Sequence, residues 1–198
     1  VPMKDSGVEW IGEVPAHWSI APLGSRTELL NGFPFSANRF SSSGHKENRL
    51  IRIRDILNTE NKTYTEEECP QKSIVKSGDI LIGMDGDFNA CQWVGDTAKL
   101  NQRVCAVTSG NELIKTWIGY GISVPLKVIN DVCHTTTVKH LSSGQVRNIR
   151  LPFPPDEELN EINHFLQRET DRLEALSNKT RQSIDLLKER RSSLITAA

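Results

Sequence analysis

Asp85, Asp87, Asn89 and Asp96 stand at the first, third, fifth and twelfth places of a loop, the spacing at which oxygen ligands surround calcium in a helix–loop–helix site. Ala90 fills the sixth place, where such a loop turns sharply and needs glycine, and the apolar run Ile80-Leu81-Ile82 ahead of it reads as a strand, not a helix. Calcium chemistry is therefore disfavoured. What is left to Met84-Asp85-Gly86-Asp87-Phe88-Asn89 is an exposed tip with two acids, an amide and a ring. A carboxylate accepts from cytosine N4 and an asparagine amide pairs with adenine, so Asp85, Asp87 and Asn89 suit base edges.

A second concentration is basic. Arg39, His45, Lys46, Arg49, Arg52 and Arg54 are opposed in that window only by Glu47 and Asp55. On charge alone this is a solvated face. With Phe33, Phe35, Ser36 and Asn38 beside it, the same stretch becomes equally suited to phosphate and base contact. We take Phe35, Ser36, Arg39, Lys46, Arg52 and Arg54 as candidate contacts. A third patch, Thr135-Thr136-Thr137-Val138-Lys139-His140, reads two ways: Thr136, Thr137 and Lys139 can hold phosphates, or the β-branched run is an edge strand.

Catalytic patterns are missing from the sequence. It has no GxxxxGK[ST] phosphate loop, no HExxH and no GxSxG elbow, and its histidines, at 17, 45, 134, 140 and 164, are scattered. Cys69, Cys91, Cys105 and Cys133 lie 22, 14 and 28 residues apart, without a CxxC pair, which argues against both zinc and a disulfide framework. No apolar run approaches eighteen residues and no leader opens the chain, so no membrane span is expected and the cytoplasm is the expected compartment.

The elements that must position these residues follow from patterning. In 198 residues the net charge is −1, which by itself points to no nucleic-acid partner; any such claim needs charge gathered on one face. Residues 1–22, with Trp10, Ile11, Val14, Trp18 and several prolines and glycines, read as an apolar strap. Arg49–Arg54 alternates, Ile51 and Ile53 facing one way and Arg52 and Arg54 the other, as in a half-buried strand with a basic outer face. Strands are also predicted over Ile80–Gly83 and Val104–Thr108. Asn111 caps a helix through Leu113, Ile114, Trp117, Ile118 and Ile122 until Pro125 interrupts it, and a second helical piece follows to Val132. After a turn of helix from Ser142-Ser143, Ile149–Leu151 runs extended into Pro152-Phe153-Pro154-Pro155, which marks a domain boundary.

Beyond it leucine recurs every seven residues. Leu159, Leu166, Leu173, Leu187 and Leu194 share one heptad position, with Thr180 between them, and Ile162 and Leu176 take the position three residues on. About forty residues of helix would span on the order of 60 Å. A stripe of that length needs a partner helix, so Leu159, Ile162, Leu166, Leu173, Leu176, Leu187 and Leu194 are the candidate pairing surface. Asp156, Glu157, Glu158 and Glu161 at its start, and Lys188, Arg190 and Arg191 near its end, oppose the macrodipole. The expected class is α+β: a mixed globular domain over 1–152 followed by a long coiled-coil helix over 153–198.

These residues also resemble a known family. Asp5-Ser6-Gly7-Val8-Glu9-Trp10-Ile11-Gly12-Glu13-Val14-Pro15 with His17-Trp18, Gly78-Asp79-Ile80-Leu81-Ile82, Leu100-Asn101-Gln102-Arg103-Val104, Leu151-Pro152-Phe153-Pro154-Pro155 and the Leu187–Ala198 end are similar to the DNA-specificity subunit of Type I restriction-modification enzymes. The match is to one half of such a subunit, a target recognition domain and one conserved spacer helix. The resemblance implies a non-catalytic reader of one half of a split site in double-stranded DNA. It implies helix pairing with a second half-subunit or second copy, and docking of methyltransferase subunits and, through the complex, a motor/restriction subunit. No cofactor is expected in this chain; S-adenosylmethionine, ATP and Mg2+ would belong to the partner subunits. It also leads to the expectation of an excised half or a half-subunit that dimerises. A coiled-coil protein-interaction adaptor that does not bind DNA stays open as the alternative.

Overall fold

The computed structural model describes residues 1–58, 62–132 and 139–196. The chain forms two compact units, Val1–Leu159 and Asn160–Ala198. In chain order the strands are β1 (Met3–Asp5), β2 (Glu13–Pro15), β3 (Ser19–Pro22), β4 (Glu28–Asn31), β5 (Arg49–Ile51), β6 (Thr63–Tyr64), β7 (Ile74–Val75), β8 (Ile80–Gly83), β9 (Ala90–Gln92), β10 (Ala98–Leu100) and β11 (Val104–Thr108). Helices α1 (Glu112–Gly121), α2 (Ser123–Val132) and α3 (Ser143–Asn148) follow, then β12 (Arg150–Phe153) and α4 (Asp156–Thr196). The class is α+β, as the patterning required.

Two four-stranded sheets build the first unit, β4-β11-β8-β9 and β6-β5-β10-β7. The first is antiparallel throughout; in the second, β5 and β10 run parallel between antiparallel edges. Side chains alternate across a strand, and the first sheet uses both of its faces. Ile80, Ile82, Cys105 and Val107 enter a core shared with Ile114 and Ile118 of α1, Leu126 of α2 and Val146 of α3. Leu81, Val104 and Ala106 enter a second core with Ile51, Val75 and Leu100 of the other sheet. A strand buried on both faces must be apolar at every position, hence the uninterrupted Ile80-Leu81-Ile82.

Capping sets the helix starts. Asn111 accepts from the Leu113 amide at 2.9 Å, and Ser142 and Gln145 cap each other's backbone across the first turn of α3. The break between α1 and α2 falls at Ile122, ahead of the expected place. Pro125 is the third residue of α2, where an amide has no intrahelical acceptor to lose.

Three expectations are corrected. The Arg49–Arg54 strand stops at Ile51, because Asp55 accepts from the Arg52 amide at 3.0 Å and turns Ile53–Asp55 into a 3-10 coil. Leu159 is 1% exposed in the helix-packed core of the first unit, so it is not available to a partner helix. Basic residues are missing from the last turn of α4: Lys188, Arg190 and Arg191 lie further back, where the macrodipole is weak.

The start of α4 is tied to the N-terminal strap. β3 pairs with β12, the Trp18 indole donates to Glu158 Oε2 at 2.8 Å, and His17 Nε2 lies 2.5 Å from Glu158 Oε1. Trp18 also meets Trp117 edge-on at 5.9 Å, and the Trp117 indole donates to the Pro152 carbonyl at 2.8 Å. Those donors, Trp18 first and His17 next, hold the Glu158 carboxyl below the usual glutamate range.

In the second unit every described residue from 171 to 196 is exposed. Leu173, Leu176, Leu187 and Leu194 are each more than 60% exposed, and Ile184, which the heptad reading missed, lies among them at 45%. Thr180 and Ser183 donate to the carbonyls of Leu176 and Lys179, both at 2.9 Å, so these hydroxyls need no donor or acceptor from a partner surface.

Candidate nucleic-acid interface

Residues 32–48 join β4 to β5, and β6 lies antiparallel to β5 with Tyr64 opposite Arg49. Three adjoining clefts share the Tyr64 side: one includes Arg39, one Lys46, Arg49 and Lys62, and one Arg52 and Lys62. Four cations of the basic stretch are thus gathered around one ring, although residues 39–54 are not one regular element. Lys62 and Tyr64 were not singled out from sequence; the alternating Lys62-Thr63-Tyr64-Thr65 was the available signal.

The cations are not equivalent. Lys46 is 89% exposed, with Asp96 at 3.7 Å. Arg39 is 66% exposed and lies 3.8 Å from Glu67. Arg52 is different: its Nε meets the buried Asp55 carboxylate at 3.3 Å, so its charge is already matched within the turn that it closes. Arg49 is buried, with its guanidinium carbon 6.0 Å from the centroid of the Tyr64 ring. Arg54 and Ser36 are exposed and do not line these clefts. Phe35 is corrected outright: at 6% exposure, edge-on to Phe33 at 5.1 Å, its ring cannot stack on a base without leaving its own packing.

The second group surrounds the β8–β9 loop. Phe88 takes a left-handed φ of 50° and is 1% exposed, a ring anchor that turns its neighbours Asp87 and Asn89 to solvent. Asp85 is engaged instead: Oδ1 lies 2.7 Å from His140 Nδ1 and Oδ2 3.2 Å from Arg103 Nη1. Lys139 donates to Asn130 Oδ1 at 2.7 Å, and Asn130 donates to the Gly86 carbonyl at 2.5 Å. Asp85 and Lys139 are therefore parts of a clamp between loop and helix, and Asp87 and Asn89 are the candidate residues of this loop that face solvent. Thr136 and Thr137 lie outside the described residues. Among the described residues no group of three metal-ligating side chains is present, and no helix is long and apolar enough to cross a membrane.

One buried cation serves the scaffold. Lys99 of β10 donates to Asn48 Oδ1 at 3.0 Å and to the carbonyls of Thr65 and Glu67 at 3.0 and 2.9 Å, holding the loop after β6 to the approach to β5. All three partners line the cleft that includes Arg39, so this contact ties its walls together.

Comparison with known proteins gives three concordant results. The Type I restriction modification DNA specificity domain family matches residues 15–186. The EcoBI specificity subunit of a Type I restriction enzyme from Escherichia coli is 33% identical over 183 residues, covering 91% of this chain and 38% of that protein. A chain from a solved type I R-M system shares the fold with a TM-score of 0.71 at 16% identity, over 94% of this chain and 46% of the other. The HsdS subunit from Thermoanaerobacter tengcongensis does so at 0.63 and 16% identity, over 88% and 41%. The chain spans about two fifths of the length of the curated relative that it matches.

Proposed function

Because the chain belongs to the Type I restriction modification DNA specificity domain family, we propose that it reads one half of a bipartite DNA site and is itself non-catalytic. The observation that carries this reading is the gathering of Lys46, Arg49 and Lys62 around Tyr64 in a chain whose total charge is only −1. Such a face neutralises phosphates without making the whole protein basic. Asp87 and Asn89, turned outward beside buried Phe88, supply acceptors and an amide for base edges.

Leu173, Leu176, Leu187 and Leu194 of α4 fit a second helix, from another half-subunit or a second copy, since their side chains are solvent-facing and the intervening hydroxyls are satisfied within the helix. In this reading methyltransferase subunits dock on the assembly and supply S-adenosylmethionine chemistry, a motor subunit supplies ATP- and Mg2+-dependent work, and the complex operates in the cytoplasm. Linking two weak readers through paired helices makes the second contact intramolecular and so raises avidity.

Salt titration of duplex binding separates this from a coiled-coil adaptor. A reader that neutralises several phosphates loses affinity steeply as salt rises, with log K falling linearly in log salt. A flat response would favour the adaptor.

A further inference from the structure

Arg49 has an unmatched donor. It is 7% exposed, yet its Nη1 is buried with no hydrogen-bond partner among the described residues. A buried donor left unmet is costly, and native structures nearly always satisfy one with protein, water or ligand. The cleft that Arg49 lines, about 330 Å³, is walled by Lys46, Lys62, Tyr64 and Trp93 with one carboxylate, Asp96, so three side-chain cations face one anion. The neighbouring cleft, though larger at about 640 Å³, carries Glu66 and Glu67 against Arg39 and is unsuited to an anion.

We propose that the Arg49 cleft is a phosphate site, holding one backbone phosphodiester of bound DNA; the identity of the anion as DNA rests on the reading above, whereas the anion site itself does not. An oxygen held in the cleft is partly desolvated; Nη1, which has no solvent contact, reaches it by a small side-chain adjustment, and the bond to a guanidinium is then strengthened. Lys46 and Lys62 at the rim would draw the anion in. A guanine edge is the poorer fit, because reading it in the major groove calls for a protruding arginine. Arg49 is instead held beneath the surface beside Tyr64. Phosphate contacts set register and carry no base choice, so this site would fix how the reader sits on the duplex while Asp87 and Asn89 meet the bases.

The test uses the full chain in two arms. In the first, inorganic phosphate is titrated while nitrogen-proton spectra follow the Trp93 indole, which donates to the Asp96 carbonyl at 2.7 Å in the cleft wall, and the Arg49 Nε–H. Both signals should shift saturably, and a Lys46→Gln/Lys62→Gln double variant, altered only at exposed rim positions, should weaken the response. In the second, a mixed-sequence 30-base-pair duplex is titrated across salt concentrations. Arg49→Gln should lower the salt slope by about 0.9, equivalent to roughly eightfold weaker binding at 0.1 M when extrapolated from 1 M, equally for all sequences. Should Arg49→Gln fail to fold, the rim variant and the phosphate arm still decide. Unmoved Trp93 and Arg49 signals, an unchanged slope in the folded variants, or a loss confined to one base position would overturn the proposal. Phosphate shifts without any duplex binding would uphold the anion site and reject DNA as its source.

Discussion

Gly32 sits where the two sheets of the first unit meet. Its amide donates to the Val104 carbonyl at 3.0 Å, and the next amide, that of Phe33, donates to the Leu100 carbonyl at 2.8 Å, so two consecutive residues bond to different sheets. A methyl group at Gly32 would stand 1.8 Å from the Asn101 carbonyl oxygen and 2.7 Å from that of Val104, against a limit of 3.0 Å for real Cβ contacts. Both obstacles are backbone, so relief requires the strands to part by more than an ångström, which breaks both hydrogen bonds. Two buried pairs left unmet at roughly 1–3 kcal/mol each make Gly32→Ala destabilising by about 4 kcal/mol. For a chain of this size that lowers the melting temperature by roughly 8–16 °C. Circular dichroism melts of Gly32→Ala and of Gly110→Ala, where a methyl would meet nothing within 4 Å, measure the difference. Equal melting of Gly32→Ala and wild type would refute the close approach.

Other consequences follow from particular contacts. Glu158 has its carboxyl lowered in the folded chain, so the unfolded chain takes up its proton first; the stabilisation is complete above the ordinary value of 4.5 and is lost as pH falls through the folded value. The melting gap between wild type and Glu158→Gln should therefore be present at neutral pH and close on acidification; a gap that widened in acid would contradict the Trp18 and His17 contacts. Burial pushes the Cys105 thiol up to about 12 at 0% exposure, so alkylation at pH 8 followed by mass mapping should spare Cys105 until guanidinium is added, and native labelling at that position would show the central sheet to be open. Lys99→Met leaves three acceptors without a donor and should cost roughly 1–3 kcal/mol in a chemical melt. Inserting one heptad into α4 beyond Leu173 lengthens it by about 10 Å, near three base pairs of duplex. Selected half-site sequences should stay the same while the gap between them grows; an unchanged gap would remove the helix from spacing.

Local chemistry was readable in advance wherever neighbours in sequence are neighbours in space. The Asn111 and Ser142 caps, the Ile80–Gly83 strand and the proline run before α4 all act within a few residues. Arg49 was harder, because the groups beside it come from Tyr64, fifteen residues on, and from the cleft wall at Trp93, forty-four residues on. Arg52 alternated like a strand residue, but Asp55 closes a turn that competes with the strand. Leu159 kept the heptad position perfectly and still belongs to the globular core, since periodicity marks the apolar face of a helix without saying what covers it. The acids of the β8–β9 loop kept a calcium-like spacing, yet Asp85 turns to Arg103 and His140, partners that no spacing rule reveals.

Discrimination between DNA sequences is the property on which the other assignments rest. Selection of bound molecules from a randomised duplex pool by the full chain, followed by sequencing, addresses it directly. One short defined run should be enriched, appearing twice at a fixed gap when α4 is paired; recovery of the pool with no sequence preference would show that the chain does not read sequence.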